Sequence, residues 1–569
     1  MHSRFAFRSS SLTAIASSAV ALFCSLPLGA QATSVAPVMP PPQVQLVAGS
    51  ISGDRTMSGI HQINVFRGIP YAAPPLASNR WREPQPLAPW AGVRAAKQFA
   101  PRCMQMEAPM RFRSQRMSED CLYLNVWAPA AAQTGKLPVF VYFHGGGFAF
   151  GDGSEPRYDG AHLASRSMIV VTVNYRLGPF GFLMHPDASR DSGTGAAGNY
   201  GLLDQQAALR WVRENIERFG GDAKRVTIGG ETSGAMAVSA HMAAPSSRGL
   251  FARAIGESGG AFAPNAFWKR ERAQRVAQAF ATRVGADSLD AMRSMSAEKL
   301  QEAMGTYKDP QPFFWPSIDG HFLTDSPAAV FAAGSQAPVP LFVGSNSQES
   351  HFRTVYGPLA PTPENWTIIL STVFGNELSE ARRLYPGNDA AEIERSAAVL
   401  ANDLTMGHST WRWMDLHRQT GSAPVYYYLF TRPRPPAVAA ASSEGEADHR
   451  APSTGAPHRS EIPYIFGNLD MDGRYRWTKD DREVSRIFTR YIAQFVKTGN
   501  PNGAYDRQAE FTKLGRVASA REFPQWPAAK QERDGITRQV IDVDTHTMRD
   551  GGAERQALIQ RIMERRSGG

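Results

Sequence analysis

Cysteine and long apolar runs are both scarce in this chain. Its 569 residues include only three cysteines, a number that excludes a scaffold of many disulfides. Beyond an apolar run at the N-terminus, no segment is long and apolar enough to span a bilayer. What remains is a sequence long enough for one large α/β domain or for several smaller domains.

Two further absences narrow the choice of function. The net charge is +9, but the basic residues are scattered and form no stripe with aromatic residues, so nucleic-acid binding is not indicated. Neither a cluster of metal-ligand residues nor a phosphate-binding glycine loop occurs. We therefore expect no metal and no other cofactor, and a small molecule rather than a nucleic acid as the partner.

The N-terminus has the pattern of a secretory signal peptide. Arg4 and Arg8 precede an apolar run over residues 12–28, and small residues at 30–32 suit a cleavage site. We predict that residues 1–32 are removed during export to the periplasm or the cell exterior. Removal of the two arginines leaves a net charge of +7, a modest excess for a chain of this size.

The mature chain would begin with a proline-rich stretch over residues 33–42, which we interpret as a linker, and one domain is predicted over residues 43–569. Cys103 and Cys121 are its only cysteines. In an exported protein two cysteines suggest one disulfide, which would contribute about 3 kcal/mol through loop closure. Two unrelated buried thiols are the alternative that the sequence leaves open.

Strand-like and helix-like segments alternate along the domain. Residues 137–143 and 167–173 are apolar runs typical of buried strands, and residues 202–219 have the helical spacing of apolar residues. Such alternation predicts a large, mostly parallel sheet covered by helices on both faces. Residues 266–302 are helix-rich and predict a cap inserted between strands. Residues 433–457 are rich in proline, alanine, serine and glutamate and predict a mobile loop.

The most informative segment is residues 230–234, which read Gly-Glu-Thr-Ser-Gly. It lies between a predicted strand over 225–229 and a predicted helix over 235–242, which is the context of the nucleophile turn G-x-S-x-G. The two glycines allow a sharp reversal and a close approach of helix to strand. Thr232 stands in place of the serine, at a backbone position that is strained for any residue with a Cβ and more so for a β-branched one.

A second segment fits the serine motif literally. Residues 256–260 read Gly-Glu-Ser-Gly-Gly, with Ser258 at the centre. A proline follows at position 264, and no amphipathic helix begins at Ser258. We interpret this segment as the end of a strand over residues 252–255, followed by a turn near the site.

Motifs at many other positions carry a family resemblance. They are FRGIPYA (residues 66–72), SEDCLYLN (118–125), HGGGF (144–148), NYRLG (174–178), NYGLLDQ (199–205) and TGNPN (498–502). Together they make the chain resemble the type-B carboxylesterase family, which includes the cholinesterases, over residues 44–543. The resemblance implies an α/β-hydrolase fold, in which a large, mostly parallel sheet is flanked by helices and helical insertions cap the site. It also implies the hydrolysis of carboxylic esters.

A catalytic triad follows from the same resemblance. Thr232 occupies the position of the nucleophile, Glu349 that of the acid and His458 that of the base. A nucleophile of this kind needs a base, and the base needs an acid that orients it. The family usually has glycine where this chain has Ser350, and alanine where it has Ser233.

Other residues receive family roles in the same way. Gly146 and Gly147 match the glycines whose N–H groups form part of the oxyanion hole, and the N–H of Ser233 would be the third donor. Cys103 and Cys121 match a family disulfide. The ion pairs that the resemblance implies for the scaffold are Arg67 with Glu119 and Arg176 with Asp204.

The threonine leaves three interpretations open. In the first, Thr232 attacks the ester carbonyl and an acyl-enzyme follows, slowed because the extra methyl group restricts χ1. In the second, the chain is a catalytically impaired binding or adhesion protein or an inactivated variant, against which the retained acid, base and oxyanion glycines argue. In the third, Ser233 shifts and becomes the nucleophile, although a residue that begins the helix should point away from His458.

The loop between Cys103 and Cys121 limits the substrate. It contains no tryptophan, the residue that stacks on the quaternary ammonium of choline esters in cholinesterases. It carries instead Arg111, Arg113 and Arg116. If this loop lines the entrance as it does in the family, its charge disfavours cations, so we expect small neutral or anionic esters as substrates.

Overall fold

The structure, a computed structural model, describes residues 40–108, 110–131, 136–306, 309–310, 313–438, 455–503 and 523–568. The predicted signal peptide, most of the predicted linker and the middle of the loop predicted at 433–457 lie outside these ranges. The described residues from Pro41 onward belong to one compact unit. Within the described ranges, no helix has both the length and the apolarity that crossing a bilayer requires.

A twelve-stranded mixed sheet organises the unit. The described strands are β1 (Gln43–Gln45), β2 (Ser50–Ser52), β3 (Asp54–Ser58), β4 (His61–Pro70), β5 (Val93–Ala95), β6 (Arg102–Cys103), β7 (Met117–Ser118), β8 (Tyr123–Pro129), β9 (Leu137–Phe143), β10 (Ile169–Val173), β11 (Gly221–Glu231), β12 (Arg253–Glu257), β13 (Gly305–Thr306), β14 (Asp309–Pro310), β15 (Leu341–Asn346), β16 (Val425–Phe430), β17 (Gln531–Glu532), β18 (Gly535–Ile541) and β19 (His546–Asp550).

The strand order explains where the site is built. The sheet runs β17-β18-β16-β15-β12-β11-β9-β10-β8-β4-β3, with β19 also paired to β18. Neighbours are parallel from β10 through β9, β11, β12, β15 and β16 to β18. They are antiparallel toward both edges. The predicted, mostly parallel sheet is confirmed, and the carboxyl ends of its central strands meet at one edge, where loops form sites.

Both faces of the sheet are buried. In β9 the side chains of Val139, Val141 and Phe143 join one apolar cluster, and those of Phe140 and Tyr142, on the opposite face, join another. All five residues are at most 1% exposed. The continuous apolar run in this part of the sequence is therefore the pattern of a strand covered on both sides.

Helices flank the sheet. They are α1 (Ala161–Ala164), α2 (Gly178–Phe182), α3 (Pro186–Asp191), α4 (Tyr200–Asn215), α5 (Ser233–Ala243), α6 (Arg270–Val284), α7 (Leu289–Arg293), α8 (Ala297–Glu302), α9 (Pro327–Ala332), α10 (Arg353–Tyr356), α11 (Pro363–Phe374), α12 (Leu378–Leu384), α13 (Ala390–Asn402), α14 (His408–Thr420), α15 (Ile462–Phe466), α16 (Lys479–Thr498) and α17 (Ala553–Gly568). Because α6, α7 and α8 lie between β12 and β15, which are neighbours in the sheet, the predicted helical insertion is confirmed.

Candidate active site

The turn between β11 and α5 has the geometry of a nucleophile elbow. Thr232 lies between the two elements with φ 54° and ψ −115°, a strained conformation for a β-branched residue. A Cβ on Gly230 would lie 2.5 Å from the carbonyl carbon of Gly234, and a Cβ on Gly234 would collide with the carbonyl oxygen of Phe143. Both glycines are therefore required for the close approach of helix to strand, as the sequence predicts.

Three of the sequence-predicted residues meet at this turn. The Oγ1 atom of Thr232 lies 2.7 Å from Nε2 of His458, and Nδ1 of His458 lies 2.6 Å from Oε2 of Glu349. Thr232 and Glu349 are buried, whereas the His458 side chain is 27% exposed. The contacts join residues that are 226 and 109 positions apart in the chain.

Two loops hold the carboxylate and the imidazole together. Glu349 follows β15, and its Oε1 accepts the backbone N–H of Asn346 at 2.6 Å. The Asn346 side chain donates to the carbonyl of Pro457, next to His458, at 2.9 Å. The backbone N–H of Gln348 donates to the carbonyl at position 456 at 2.9 Å. These bonds fix the end of the loop predicted at 433–457 and orient the imidazole.

Backbone donors lie beside the turn, after β9 and at the start of α5. Gly146 and Gly147 have φ values of 120° and 62°, and within the described part of the chain their N–H groups form no hydrogen bond. A Cβ on Gly146 would collide with the carbonyl of Phe150. Ser233 is the first residue of α5, so its N–H has no partner within the helix. These three N–H groups are free to bind an anion.

Glu231 is the residue that sequence reasoning missed. It is fully buried, and its Oε1 accepts a hydrogen bond from the hydroxyl of Thr232. The same oxygen lies 3.1 Å from Nε2 of His458, and Oε2 lies 3.4 Å from Nε of Arg459. Since Thr232 has a single hydroxyl proton, Glu231 and His458 compete to accept it. The signal in the sequence was the glutamate inside the elbow itself.

Two more buried glutamates surround the site. Burial, together with the carboxylates of Glu231 and Glu349, raises the pKa of Glu461 to about 8. Glu461 accepts a hydrogen bond of 2.5 Å from the side chain of Asn346. Burial also raises the pKa of Glu257, which accepts from the hydroxyl of Tyr142 at 3.1 Å. Both groups therefore hold a proton at pH values where free glutamate is ionised.

The electrostatics of the site act on His458. Burial by itself lowers the pKa of this imidazole, but the carboxylate of Glu231, the hydrogen bond to Glu349 and the charges of Glu349 and Glu461 outweigh it and raise the pKa to about 9. An imidazole that can accept the hydroxyl proton of Thr232 must be neutral. His458 therefore holds a proton at pH values where a free imidazole is neutral.

The segment at residues 256–260, which matches the serine motif literally, forms the end of a strand. β12 ends at Glu257, and no helix begins at Ser258, which is fully buried with φ 51°. The carbonyl of Glu257 accepts the backbone N–H of Thr232 at 2.9 Å, and a Cβ on Gly259 would lie 2.7 Å from the carbonyl oxygen of Thr232. The interpretation of this segment as a strand end beside the site is confirmed.

The scaffold predictions from the resemblance have mixed outcomes. The structure contains the disulfide between Cys103 and Cys121. The buried ion pair between Arg176 and Asp204 is also present, with Nη2 and Oδ1 2.7 Å apart.

The predicted pair of Arg67 with Glu119 is wrong. Glu119 binds Arg80, whose Nε donates to Oε1 at 2.6 Å, and Arg67 pairs with Asp54 at 3.3 Å. Arg80 is the more buried arginine, and its Nη1 also donates to the carbonyl of Met295 at 2.7 Å. The Arg80 guanidinium meets both carboxylate oxygens of Glu119, a charge-assisted arrangement that favours this pair.

Comparisons with known proteins agree with this geometry. The family profile "Carboxylesterase family" matches residues 40–556. The chain is 36% identical to fumonisin B1 esterase of Sphingopyxis macrogoltabida over 78% of each protein. It is 34% identical to para-nitrobenzyl esterase of Bacillus subtilis (strain 168), over 80% of this chain and 89% of that protein. A solved structure of a PNB esterase aligns with a TM-score of 0.71 and 32% identity, and covers 91% of this chain and 100% of its own.

The fold and the site thus define an α/β-hydrolase. The chain belongs to the carboxylesterase family and is a carboxylic ester hydrolase.

Proposed function

We propose that the chain hydrolyses small carboxylic esters through an acyl-enzyme formed on Thr232. The observation that supports this most directly is the pair of contacts made by His458, at 2.7 Å to the hydroxyl of Thr232 and 2.6 Å to the carboxylate of Glu349. Such distances put a nucleophile, a base and an orienting acid within hydrogen-bond reach of each other.

In the proposed acylation step, Oγ1 of Thr232 attacks the carbonyl carbon of the ester while Nε2 of His458 takes the hydroxyl proton. Glu349 accepts the hydrogen bond from Nδ1–H and stabilises the imidazolium. The tetrahedral intermediate then collapses, the bond to the alcohol oxygen breaks, and the imidazolium protonates the leaving alcohol. In deacylation, water gives a proton to His458 and attacks the acyl carbon. The bond between the acyl carbon and Oγ1 then breaks, His458 returns the proton to Oγ1 of Thr232, and the carboxylic acid is released.

Negative charge develops on the former carbonyl oxygen in each tetrahedral intermediate. We assign its stabilisation to the N–H groups of Gly146, Gly147 and Ser233. The N–H groups of Gly146 and Gly147 form no hydrogen bond within the described residues, which supports this assignment. The position of Ser233 at the N-terminus of α5, where the helix dipole favours an anion, also supports it.

The proposed enzyme is slow for its family. The methyl group of Thr232 restricts χ1, and Glu231 competes with His458 for the hydroxyl proton. A misplaced nucleophile reduces the rate on the order of 100-fold. The competing account is an impaired esterase-like protein whose main role is binding, and the same two observations favour it.

We propose neutral or anionic small esters as the substrates. Arg113 is engaged by Asp159 at 2.7 Å and by the carbonyl of Ser154 at 2.7 Å, so it anchors the loop. Arg111 and Arg116 are exposed and supply the positive charge. A choline ester should therefore react more slowly than its uncharged 3,3-dimethylbutyl analogue, and a faster choline ester would refute this preference.

The decisive kinetic experiment is a pre-steady-state assay with p-nitrophenyl acetate and butyrate on three proteins: the wild type, Thr232→Ser and Thr232→Ala. A burst or turnover in the wild type that disappears in Thr232→Ala supports the threonine nucleophile. If the wild type shows no detectable hydrolysis while Thr232→Ser is strongly active, the result supports the account of a catalytically impaired protein. Activity that survives Thr232→Ala points to Ser233 and overturns the proposal.

We also propose that the protein is exported with removal of residues 1–32. The supporting observation is the disulfide between Cys103 and Cys121, because such bonds persist in oxidising compartments. N-terminal sequencing of the protein purified from the native cell envelope or medium should find Thr33 as the first residue. A retained Met1, or a protein confined to the cytosol, would show that the export proposal is wrong.

A further inference from the structure

A cavity lies apart from the proposed catalytic residues. It has a volume of 210 Å³, and neither the three triad residues nor the oxyanion donors line it. Its walls come from the segment at residues 81–85, the end of α3, the start of α4, the end of α7 and the loop at residues 319–321. The volume equals that of about seven water molecules, enough for a small ring or a short chain.

One side of the cavity is apolar. Ala188, Ala196, Ala197 and Leu203 line it. The Trp81 ring also belongs to this wall, because its Nε1 already donates to a backbone carbonyl at 2.8 Å. The apolar wall favours a ligand with a hydrocarbon part.

The other side carries donors without acceptors. Within the described residues, the hydroxyl of Tyr200 and the Nη2 atom of Arg293 are buried and have no hydrogen-bond acceptor. Tyr200 is 3% exposed. The exposed guanidinium of Arg82 forms neither a hydrogen bond nor an ion pair with any described residue. Buried donors without acceptors are costly and rare, so the two buried donors indicate a missing acceptor, and the exposed Arg82 can add a third hydrogen-bond donor from the rim.

The carboxylates of the cavity, in contrast, each lie near a donor. Asp191 lies 3.4 Å from Nη1 of Arg293, and Glu83 lies 3.6 Å from Nε2 of His321. Asp319 accepts backbone N–H groups, including that of His321 at 3.2 Å. The fully buried polar atoms of the cavity that lack a partner are therefore donors, and a ligand can bring the acceptor oxygens for them.

We propose that this cavity is a second ligand site, which binds a small monocarboxylate. Its carboxylate would face Arg82, Tyr200 and Arg293, and its hydrocarbon part would lie along the alanine and leucine side chains. Charge-assisted hydrogen bonds from two arginines suit a planar carboxylate. The cavity contains none of the proposed catalytic residues, so this proposal can be tested independently of the proposed mechanism.

Isothermal titration calorimetry with sodium benzoate tests the proposal, with benzyl alcohol as the matched neutral probe. We expect benzoate to bind at least about tenfold more tightly than benzyl alcohol, since hydrogen bonds to a charged group are stronger than those to a neutral one. Arg82→Gln should weaken benzoate about tenfold and Tyr200→Phe about threefold. Arg213→Gln, an exposed arginine that does not line the cavity, should leave the affinity unchanged.

Failure to fold is separated from loss of the site by the hydrolysis of p-nitrophenyl acetate. Arg82 and Tyr200 have no place in the proposed mechanism, so both variants should retain the wild-type activity. The proposal is overturned if benzoate does not bind to the wild type, or if it binds equally to the wild type and both active variants. Equal binding would place benzoate elsewhere, with the active site as the obvious alternative.

Discussion

At the scale of the residue, the proposed chemistry depends on which group holds the hydroxyl proton of Thr232. The hydroxyl of Thr232 contacts Glu231 Oε1 and His458 Nε2 together, and these two acceptors are themselves 3.1 Å apart. When His458 is protonated, its Nε2–H and the threonine hydroxyl both point to the carboxylate of Glu231, and no base is left. When His458 is neutral, it can accept the hydroxyl proton, which would activate the proposed nucleophile.

Thr232→Ser should raise kcat by about 100-fold, because it removes the methyl group that restricts the nucleophile and keeps the hydroxyl. Steady-state hydrolysis of p-nitrophenyl butyrate at saturating substrate measures the effect. Ser233→Ala is the matched control and should leave kcat within about threefold, since only its backbone N–H is assigned a role. A serine variant no faster than the wild type would mean that the methyl group does not limit the reaction.

The pH profile follows from the pKa of His458, which the surrounding carboxylates raise to about 9. Below that value the neutral base falls about tenfold for each pH unit, so kcat/KM should increase with pH up to about 9. Glu231→Gln removes the largest contribution that raises this pKa, so it should move the acidic limb to lower pH. Glu257→Gln is the control, and its profile should match that of the wild type; an unmoved limb in Glu231→Gln would contradict this account.

At the scale of the element, the site depends on loops that follow parallel strands. β11 presents Thr232, β15 leads to Glu349, and β9 leads to Gly146 and Gly147. A neighbouring loop is fixed by a buried ion pair. Arg176, which follows β10, binds Asp204 of α4 through two hydrogen bonds of 2.7 and 2.8 Å.

Asp204→Asn should destabilise the fold by about 3–5 kcal/mol, because it leaves the guanidinium of Arg176 buried without its counter-charge. Arg176 and Asp204 are 3% and 0% exposed. Urea unfolding followed by tryptophan fluorescence measures the loss. The exposed pair of Lys136 with Glu217 is the comparison, and Glu217→Gln should change stability by less than about 1 kcal/mol. Equal effects at the two sites would show that burial does not decide the energy of these pairs.

The disulfide should stabilise the loop that carries Arg111 and Arg116. It joins residues 18 positions apart, for which chain entropy gives about 3 kcal/mol. The double variant Cys103→Ser/Cys121→Ser should therefore lose about that much free energy of unfolding under oxidising conditions. In the presence of a reductant, the wild type should unfold at the same urea concentration as the double variant. If reductant has no effect on the wild type, the disulfide contributes nothing to stability.

At the scale of the whole molecule, stability and activity should respond to pH in opposite directions. The folded protein raises the pKa of His458 from 6.5 to about 9 and that of Glu461 from 4.5 to about 8. Each group binds its proton more tightly in the folded state than in the unfolded one. Its stabilising contribution is complete below the unfolded pKa and is lost as the pH rises through the folded pKa.

The free energy of unfolding should therefore fall as the pH increases from about 6 to about 9, where kcat/KM rises. Urea titrations across that range test this, and Glu461→Gln should flatten the part of the curve below pH about 8. A wild-type protein whose stability rises over this range would show that the carboxylates around His458 do not act as described.

Much of this architecture could be predicted from the sequence. The apolar run of β9 predicts a strand buried on both faces, and the glycines at 230 and 234 predict the turn whose steric limits the structure shows. The role of Glu231 could not be predicted, because it depends on where the carboxylate points relative to His458. The pairing of Glu119 with Arg80 rather than Arg67 depends in the same way on which arginine is buried beside it. Sequence patterns predict helices, strands and turns, whereas the partners of individual side chains depend on the three-dimensional structure.

The most direct test of the central claim is to find the acyl group. The protein is mixed with p-nitrophenyl butyrate, quenched in acid within the burst, digested and analysed by tandem mass spectrometry. A butyryl group on Thr232, absent from Thr232→Ala, is the result that this account predicts. A butyryl group on Ser233, or sustained hydrolysis with no acyl group on the peptide that contains Thr232, would contradict it.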